Sequence, residues 1–367
     1  MTKPIEEYFV PWMKPLKMYF SPHIDLAWRD PSLHRMMSNE NPLPPSPKVL
    51  EAINKYGAMS NRYPDQGIVV RTRIAEMNGL DGPENVVIGN GSSEVFDMTF
   101  RTFLQPGEEV IQHTPCFAIY QLRCDVLGGK LVSVPMIYKD KRLLFDADGI
   151  LKAITPQTKI IAIANPNNPS GNFMDATDFV RIAETGIPFV IDEAYVEYSG
   201  LEKSQVALVK KYKNVMITRT LSKAYGLAGM RFGYLLADRD VAMKVAATLL
   251  PWNVGTIIMW AALAALEDRE GLAERVKYNN EQIAYIEEML GSIPGFVVFP
   301  SHANYILFDA GGTGKTGKEI IAYAEKKGII LRGESAKYGS DGWFRVTIGS
   351  KEENRMFVET VREFLTK

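Results

Sequence analysis

The most reactive combination of residues lies in the stretch RTLSKAYGLAGMR, which covers residues 219–231. It places the amine of Lys223 near the hydroxyls of Thr220 and Ser222, with Arg231 following. Hydroxyl and guanidinium groups suit a phosphate, and a partly desolvated amine near cations has a lowered pKa and becomes nucleophilic. A lone lysine is better explained as a surface residue, so the rest of the chain must decide.

A second stretch, GNGSSEV (89–95), follows the apolar run NVVI and precedes a helical pattern. Its glycines let backbone amides approach an anion closely, and a helix N-terminus favours negative charge. The hydroxyls of Ser92 and Ser93 can add donors. The stretch is not a dinucleotide fingerprint, because Glu94 stands where that motif needs its third glycine. A tight turn without a ligand explains this stretch alone equally well.

Two further apolar runs end in polar side chains. NPNNPSGN (165–172) follows IIAIA, and the amides of Asn167 and Asn168 can donate to a phenolate-like oxygen. These residues also fit a simple connecting turn. Asp192 ends the run FVID, where burial is costly unless a cation, such as a protonated heterocycle nitrogen, is its partner. A capping or salt-bridging role is the alternative for Asp192.

The four stretches together indicate one cofactor. An amine, an anion-binding loop, a buried carboxylate and donors to a phenolic oxygen are the groups that pyridoxal phosphate requires. No single stretch is decisive, but their joint appearance at successive strand ends is. The sequence therefore predicts a pyridoxal-phosphate site that contains Lys223.

The elements that must position these residues alternate along the chain. From about residue 48, short β-branched runs alternate with segments of helical periodicity. This pattern predicts an α/β fold with a mostly parallel sheet covered on both faces. Ligand sites in such sheets lie at the carboxyl ends of the strands, where all four stretches fall.

The chain divides into three predicted parts. Residues 1–47 are rich in proline and aromatic residues, so we expect an extended arm that packs on the body or on a second subunit. Residues 48–255 form a large cofactor-binding domain. Residues 256–367 combine helical stretches with short strands, which predicts a smaller α+β domain at the C-terminus.

Composition narrows the class of protein. The 367 residues are 46% apolar and 23% charged, with a formal net charge of −1, so no basic field attracts nucleic acid or an anionic membrane. Two cysteines do not make a disulfide framework, and the histidines have no metal-ligand spacing. We find no apolar run of the ~20 residues that a membrane helix needs and no secretory signal pattern. We therefore expect a cytoplasmic protein without a metal.

These stretches resemble the class I/II aminotransferases, which are fold-type I pyridoxal-phosphate enzymes, and most closely their histidinol-phosphate aminotransferase branch. The resemblance covers about residues 38–350. It is carried by SNENPLPPSPKVLEAI, YPDQG, GNGSSEVFDMTFRTFL, TPCFAIY, ANPNNPSGN, VIDEAY, RTLSKAYGLAGMR, PWNVG, AALAALED and FRVTIGS.

The resemblance implies roles for residues around the cofactor. Lys223 would bind the cofactor covalently and later move a proton between substrate and cofactor. Asp192 would pair with the ring nitrogen, while Tyr195 and Asn168 hydrogen-bond the 3′-oxygen. The other implied contacts are Phe117 on the ring face and, at the phosphate, Ser92, Ser93, Thr220, Ser222 and Arg231.

The resemblance also implies substrates and an assembly. Arg345 resembles the arginine that binds the substrate's anionic group, and Arg332 resembles a second anion-binding arginine of the histidinol-phosphate branch. Tyr63 would reach across a homodimer interface into the neighbouring cofactor site. The implied reaction, in amino-acid biosynthesis, moves an amino group from histidinol phosphate or a related L-amino acid to a 2-oxo acid.

The chain departs from the family pattern where the family contacts substrate. HIDLAWRDPSLHR (23–35) is unlike the usual arm, and Gly333 follows Arg332 where an acidic residue is common. A lyase, decarboxylase or cyclase with the same cofactor is therefore a second hypothesis. A non-catalytic cofactor sensor or scaffold is a third, and the intact Lys223 argues against it.

Overall fold

The structure is a computed structural model that describes residues 3–18, 22–333 and 340–366. The strands are β1 (His34–Arg35), β2 (Val86–Asn90), β3 (Glu109–Thr114), β4 (Lys130–Pro135), β5 (Ile137–Lys139), β6 (Arg142–Leu144), β7 (Thr158–Ala164), β8 (Phe189–Asp192), β9 (Val215–Thr220), β10 (Phe232–Ala237), β11 (Val297–Val298), β12 (Tyr305–Asp309), β13 (Ile329–Ile330), β14 (Arg332–Gly333) and β15 (Trp343–Thr347). The helices are α1 (Pro22–Arg29), α2 (Pro47–Gly57), α3 (Ile68–Met77), α4 (Gly91–Phe103), α5 (Ile119–Val126), α6 (Ala147–Ala153), α7 (Ala176–Ala183), α8 (Val206–Lys211), α9 (Arg239–Ala246), α10 (Thr256–Glu267), α11 (Arg269–Gly291), α12 (Gly317–Lys326) and α13 (Lys351–Leu365).

A seven-stranded sheet in the order β2-β10-β9-β8-β7-β3-β4 forms the centre of the molecule. The pairs within β9-β8-β7-β3-β4 are parallel, and β10 runs antiparallel to both of its neighbours. The prediction of a mostly parallel α/β sheet is thereby confirmed.

Alternate residues of the central strands enter cores on opposite faces of the sheet. Along β7, Ile161 and Ile163 belong to one hydrophobic cluster, while Ile160 and Ala162 belong to the other. Successive side chains of a strand point to opposite faces of the sheet. Because both faces are covered here, every position must be apolar, and the strands appear in the sequence as continuous apolar runs.

A smaller antiparallel sheet in the order β11-β12-β15-β14 lies in the C-terminal part of the chain. Its core combines Ile306, Phe308 and Phe344 from the strands with residues of α11, α12 and α13, including Ile286 and Phe357. This arrangement is the α+β unit that the sequence predicts.

The boundary between the two domains remains a proposal. The packing of α10 indicates that this boundary does not lie at residue 255. Met259 and Leu266 of α10 belong to the hydrophobic cluster of the central sheet, and α10 packs beside α2. Ile283 and Ile286 of α11 belong instead to the smaller domain's core. We therefore place α10 with the large domain and the change of core within α11.

The expectation of an extended arm over residues 1–47 is wrong in part. The described arm contains 3₁₀ turns at Ile5–Tyr8 and Pro11–Met13 and the helix α1. Pro22 is tolerated in α1 because the first residues of a helix need no amide donor, and Pro31 follows its end. The proline-rich residues 42–46 are indeed non-helical, and α2 begins at Pro47.

The arm is attached to both domains. The indole Nε1 of Trp12 donates to Val126 O at 3.1 Å in the large domain. β1 pairs in parallel with β13, and Met36 enters the core of the smaller domain. Of the two alternatives expected for the arm, packing on the body or on a second subunit, these contacts support the first. No helix within the described ranges has both the length and the apolar character needed to span a membrane.

Candidate active site

A cavity of about 720 Å³ opens at the carboxyl ends of the parallel strands, bounded on one side by β14 and β15 of the smaller domain. It brings together the site residues that the sequence predicts, except Tyr63 and Asn167. The predicted residues that line it are Ser92, Ser93, Phe117, Asn168, Asp192, Tyr195, Thr220, Ser222, Lys223, Arg231, Arg332 and Arg345.

Lys223 lies half-buried in this cavity, three residues after β9 ends. Its Nζ donates to Ser38 O at 3.2 Å and lies 5.7 Å from the ring centre of Tyr195. Burial, followed by the charge of Arg345, lowers the pKa of Lys223 to about 8, and Glu40 opposes the shift. The unprotonated amine, which a nucleophile or base requires, is therefore far more abundant near neutral pH than the ordinary lysine pKa of 10.5 would allow.

Asp192 ends β8 at the floor of the cavity and is 4% exposed. Tyr120 Oη donates to its Oδ2 at 2.8 Å, and Thr218 Oγ1 and the Ala194 amide each donate to Oδ1 at 3.2 Å. Burial raises the pKa of Asp192 to about 6, and these hydrogen bonds limit the rise. Because these three donors are neutral, the buried carboxylate can still pair with a cationic nitrogen.

Tyr195 and Asn168 form a second polar group on the cavity wall. Asn168 Nδ2 donates to the Tyr195 hydroxyl at 3.3 Å, and Asn39 Nδ2 donates to the same oxygen at 2.8 Å. Asn168 Oδ1 accepts from Arg345 Nη1. These contacts position one phenol and one amide as donors to an oxygen bound in the cavity.

The anion-binding end of the cavity is built from the N-terminus of α4 and the segment after β9. Thr220 Oγ1 donates to Ser222 Oγ at 2.9 Å, and Arg231 Nη1 donates to Ser222 Oγ at 3.4 Å. Gly91 has φ 75°, and a Cβ on it would collide with the Arg231 guanidinium. Glycine is therefore required for the close approach of arginine to this helix end, which suits a phosphate.

Arg332 and Arg345 face the cavity from the smaller domain. They are direct partners in the antiparallel pairing of β14 and β15. A bound anion between two such guanidinium groups could accept hydrogen bonds from both. Arg345 is only 6% exposed, and its Nη2 donates to Met37 O at 3.1 Å.

The parts of this cavity fit pyridoxal phosphate. One end offers hydroxyls, helix amides and the Arg231 guanidinium for a phosphate, and the floor offers Asp192 for a ring nitrogen. Lys223 lies between them, and the exposed ring of Phe117 lines the wall. The donor set thus matches an anionic, pyridine-like aldehyde.

Two predicted side chains lie elsewhere. Tyr63 is 78% exposed and stacks on Trp252 with ring centres 4.3 Å apart, so it does not enter the cavity of its own chain. Asn167 is fully buried, and its Nδ2 donates to Pro115 O at 3.1 Å and to Ser170 Oγ at 2.8 Å. Only Asn168 of that pair faces the site.

Sequence reasoning missed Tyr120 and Asn39, although both lie inside stretches that carry the resemblance. Tyr120 follows Phe117 by three residues, which is the spacing of one helix face. Asn39 belongs to SNENP, which the sequence marks only as non-helical. Their partners are 72 and 156 residues away in the chain, so neither contact could be derived from local pattern.

Comparisons with known proteins agree with this geometry. The family described as aminotransferase class I and II matches residues 33–361. The histidinol-phosphate aminotransferase of Methanothermobacter thermautotrophicus is 33% identical over 340 residues, which are 92% of this chain and 90% of that protein. That of Akkermansia muciniphila is 36% identical over 335 residues, 90% of each chain. Among solved structures, the histidinol-phosphate aminotransferase of Sinorhizobium meliloti in complex with pyridoxal-5′-phosphate has a TM-score of 0.87 at 26% identity, and covers 98% of this chain and 97% of that one.

Proposed function

The chain belongs to the class I and II aminotransferases and is a pyridoxal-phosphate-dependent aminotransferase, and we propose that its amino donor is histidinol phosphate and its acceptor a 2-oxo acid. The curated relatives reported above are named for that donor.

The observation that carries the choice of donor is the pairing of two arginines. Arg332 and Arg345 are opposite each other on neighbouring strands and face one cavity. A phosphomonoester carries up to two negative charges and three acceptor oxygens, so it can engage both guanidinium groups. A single carboxylate offers fewer negative charges and acceptor oxygens to the two guanidinium groups. The pair therefore favours histidinol phosphate over a simple L-amino acid.

The mechanism assigns one task to each group of the chain. Bound pyridoxal phosphate supplies an electron sink for the carbon that carries the amino group. Lys223 Nζ would hold the cofactor before the donor arrives and would then act as the base that removes the proton from that carbon. Its lowered pKa, about 8, makes the amine available for both tasks. Because the lysine is attached to the protein beside the substrate, the proton transfer is effectively intramolecular.

The remaining assignments concern how the cofactor is held. Asp192 would keep a proton on the ring nitrogen, and Tyr195 with Asn168 would donate to the 3′-oxygen. Phe117 would lie against the ring. The phosphate of the cofactor would be bound by Ser92, Ser93, Thr220, Ser222 and Arg231.

We also propose a homodimer in which Tyr63 completes the cofactor site of the partner. The exposed position of Tyr63 beside Trp252 supports this proposal. Further exposed apolar residues lie close to Tyr63 and Trp252 in the sequence and support it as well. Those residues are Ile68, Val69 and Leu250. Exposed apolar side chains of this number, if contiguous, suit an interface between two chains.

The test of the donor is a half-reaction without the acceptor. The holoenzyme is mixed with histidinol phosphate, and loss of the visible absorption of the bound cofactor is followed by stopped flow. L-Histidinol, which has the same amine and ring but no phosphate, is the matched control. We expect its rate at equal low concentration to be lower by about 10²-fold or more, because two arginines lose their anion. Faster bleaching by an L-amino acid such as aspartate would contradict the proposal.

A further inference from the structure

Two side-chain amides hold the hydroxyl of Tyr195 in the same way. Each carboxamide donates its N–H to the Tyr195 oxygen and accepts at its oxygen from a residue of β15. Asn168 accepts from Arg345, and Asn39 accepts from Thr347 Oγ1 at 3.1 Å. Arg345 and Thr347 are two residues apart, so they project from the same face of that strand.

The hydrogen bonds around Asn39 fix which way its carboxamide points. Thr347 Oγ1 accepts from the backbone amide of Asn39 at 2.9 Å and donates its own proton to Asn39 Oδ1 at 3.1 Å. Asn39 Nδ2 is then the atom that faces Tyr195. The residue is 2% exposed with φ 55°, and Asn304 Nδ2 donates to its carbonyl at 3.0 Å.

This arrangement determines the hydrogen-bond polarity of Tyr195. A phenol oxygen has two acceptor positions, and the two amides use both of them. The hydroxyl proton is therefore the remaining hydrogen-bonding capacity of Tyr195, and it must be donated. Tyr195 lines the cavity, so a ligand oxygen there receives that proton.

We propose that Asn39 is a positioning residue that, held by Thr347 of the smaller domain, fixes Tyr195 as a hydrogen-bond donor to the bound cofactor. The inference rests on the role proposed above for Tyr195. It gives the SNENP segment a task in the reaction. It also links β15, the strand that carries Arg345, to the cofactor by a second route, which runs through Thr347 and Asn39.

Burial and the groups around Tyr195 together determine the pKa of its hydroxyl. Burial raises the pKa of Tyr195 to about 12, while Arg345, Asn39 and Asn168 lower it and Asp192 raises it. Lys223 Nζ lies 5.7 Å from its ring centre, and Tyr305 packs edge-on at 5.1 Å. Removal of Asn39 thus makes the Tyr195 hydroxyl less acidic and a weaker donor, while the other groups stay in place.

The experiment measures the pH midpoint of the visible absorption band of the holoenzyme. A donated hydrogen bond stabilises negative charge on the cofactor oxygen and favours the deprotonated cofactor. A weaker donor should therefore move the midpoint upward. We expect Tyr195→Phe to give the largest rise, and Asn39→Ala a smaller one on the order of half a pH unit.

Thr347 supplies a second pair of variants in case Asn39→Ala folds poorly. Thr347→Val keeps the shape but removes both hydrogen bonds to Asn39, so it should raise the midpoint in the same direction. Thr347→Ser keeps the hydroxyl and should restore the wild-type value. Thermal unfolding of each variant separates a loss of stability from a shift of the midpoint.

The deciding comparison is the double variant. If Asn39 acts through the Tyr195 hydroxyl, Asn39→Ala should produce no further shift in a Tyr195→Phe background. An equal shift in both backgrounds, or no shift with Tyr195 present, would overturn the inference. If Tyr195→Phe itself leaves the midpoint unchanged, the failure lies instead in the role proposed for Tyr195.

Discussion

Burial shifts the pKa values of Lys223 and Asp192 more than any single neighbour does. It disfavours the charged form of each, so it lowers the pKa of the lysine and raises that of the carboxyl. The lysine becomes a base near neutral pH. The carboxyl, with a pKa of about 6, stays mostly ionised at pH 7 because Tyr120 and Thr218 donate to it.

The pH dependence of cofactor uptake tests the state of Lys223. Only the unprotonated amine can bond to the aldehyde, and burial lowers its pKa from 10.5 to about 8. The rate of covalent uptake by cofactor-free protein should therefore rise with pH and level off above about 8. The rate is measured from the growth of the visible band, with Lys223→Ala as the inactive control.

Two neutral substitutions should move this midpoint in opposite directions. Arg345→Gln removes the neighbouring charge that most lowers the pKa of Lys223, so its midpoint should rise. Glu40→Gln removes a charge that raises the pKa, so its midpoint should fall. A midpoint near 10 in the wild type, or shifts of the same sign, would contradict this account.

At the scale of single residues, the sequence predicts those whose type and strand-end position both carry chemistry. Lys223, Asp192 and the serines of GNGSSEV are of this kind. Tyr120 and Asn39 act only through a partner that folding brings close. Tyr63 is a third case, because its proposed task needs a second chain.

At the scale of elements, the sequence predicts the central strands to within one or two residues. The runs NVVI, IIAIA and FVID match β2, β7 and β8 to this accuracy, because strands buried on both faces are unbroken apolar runs. The helical residues that directly follow residue 255 form two successive helices, α10 and α11. Asp268 separates them and caps the second, since its carboxylate accepts from the Gly271 amide.

The cap of α13 supports the end of β15, the strand that carries Arg345 and Thr347. Ser350 Oγ accepts from the Glu353 amide at 3.2 Å, and Glu353 Oε2 accepts from the Ser350 amide at 2.7 Å. Ser350→Ala should therefore destabilise the protein by about 1 kcal/mol and lower Tm by about 1–3 °C.

Calorimetry of the holoenzyme measures this change. Ser60→Ala, at an exposed serine in a turn, is the matched control and should leave Tm unchanged. Equal Tm values for Ser350→Ala and the wild type would mean that the capping box contributes no stability to the junction between β15 and α13.

At the scale of the whole molecule, the cavity depends on parts that are distant in the chain. The large domain supplies the cofactor-binding groups, the smaller domain supplies Arg332 and Arg345, and the arm supplies Ser38 and Asn39. The sequence predicts the first two sets from motifs. It could not predict that the arm lies between the domains, because residues 22–47 carry no periodicity that reports their partners.

The proposed homodimer would add a fourth part, the partner subunit's Tyr63, and mixed dimers test this directly. Tyr63→Phe and Lys223→Ala chains are unfolded together, refolded and assayed. In a shared-site dimer, one site of each hybrid combines an intact Lys223 with an intact tyrosine from the other chain. Random pairing makes about half of the dimers hybrids with one intact site each, so activity should recover to about a quarter of wild type. Activity no greater than the mean of the two separate parents would show that Tyr63 serves no site but its own, or none.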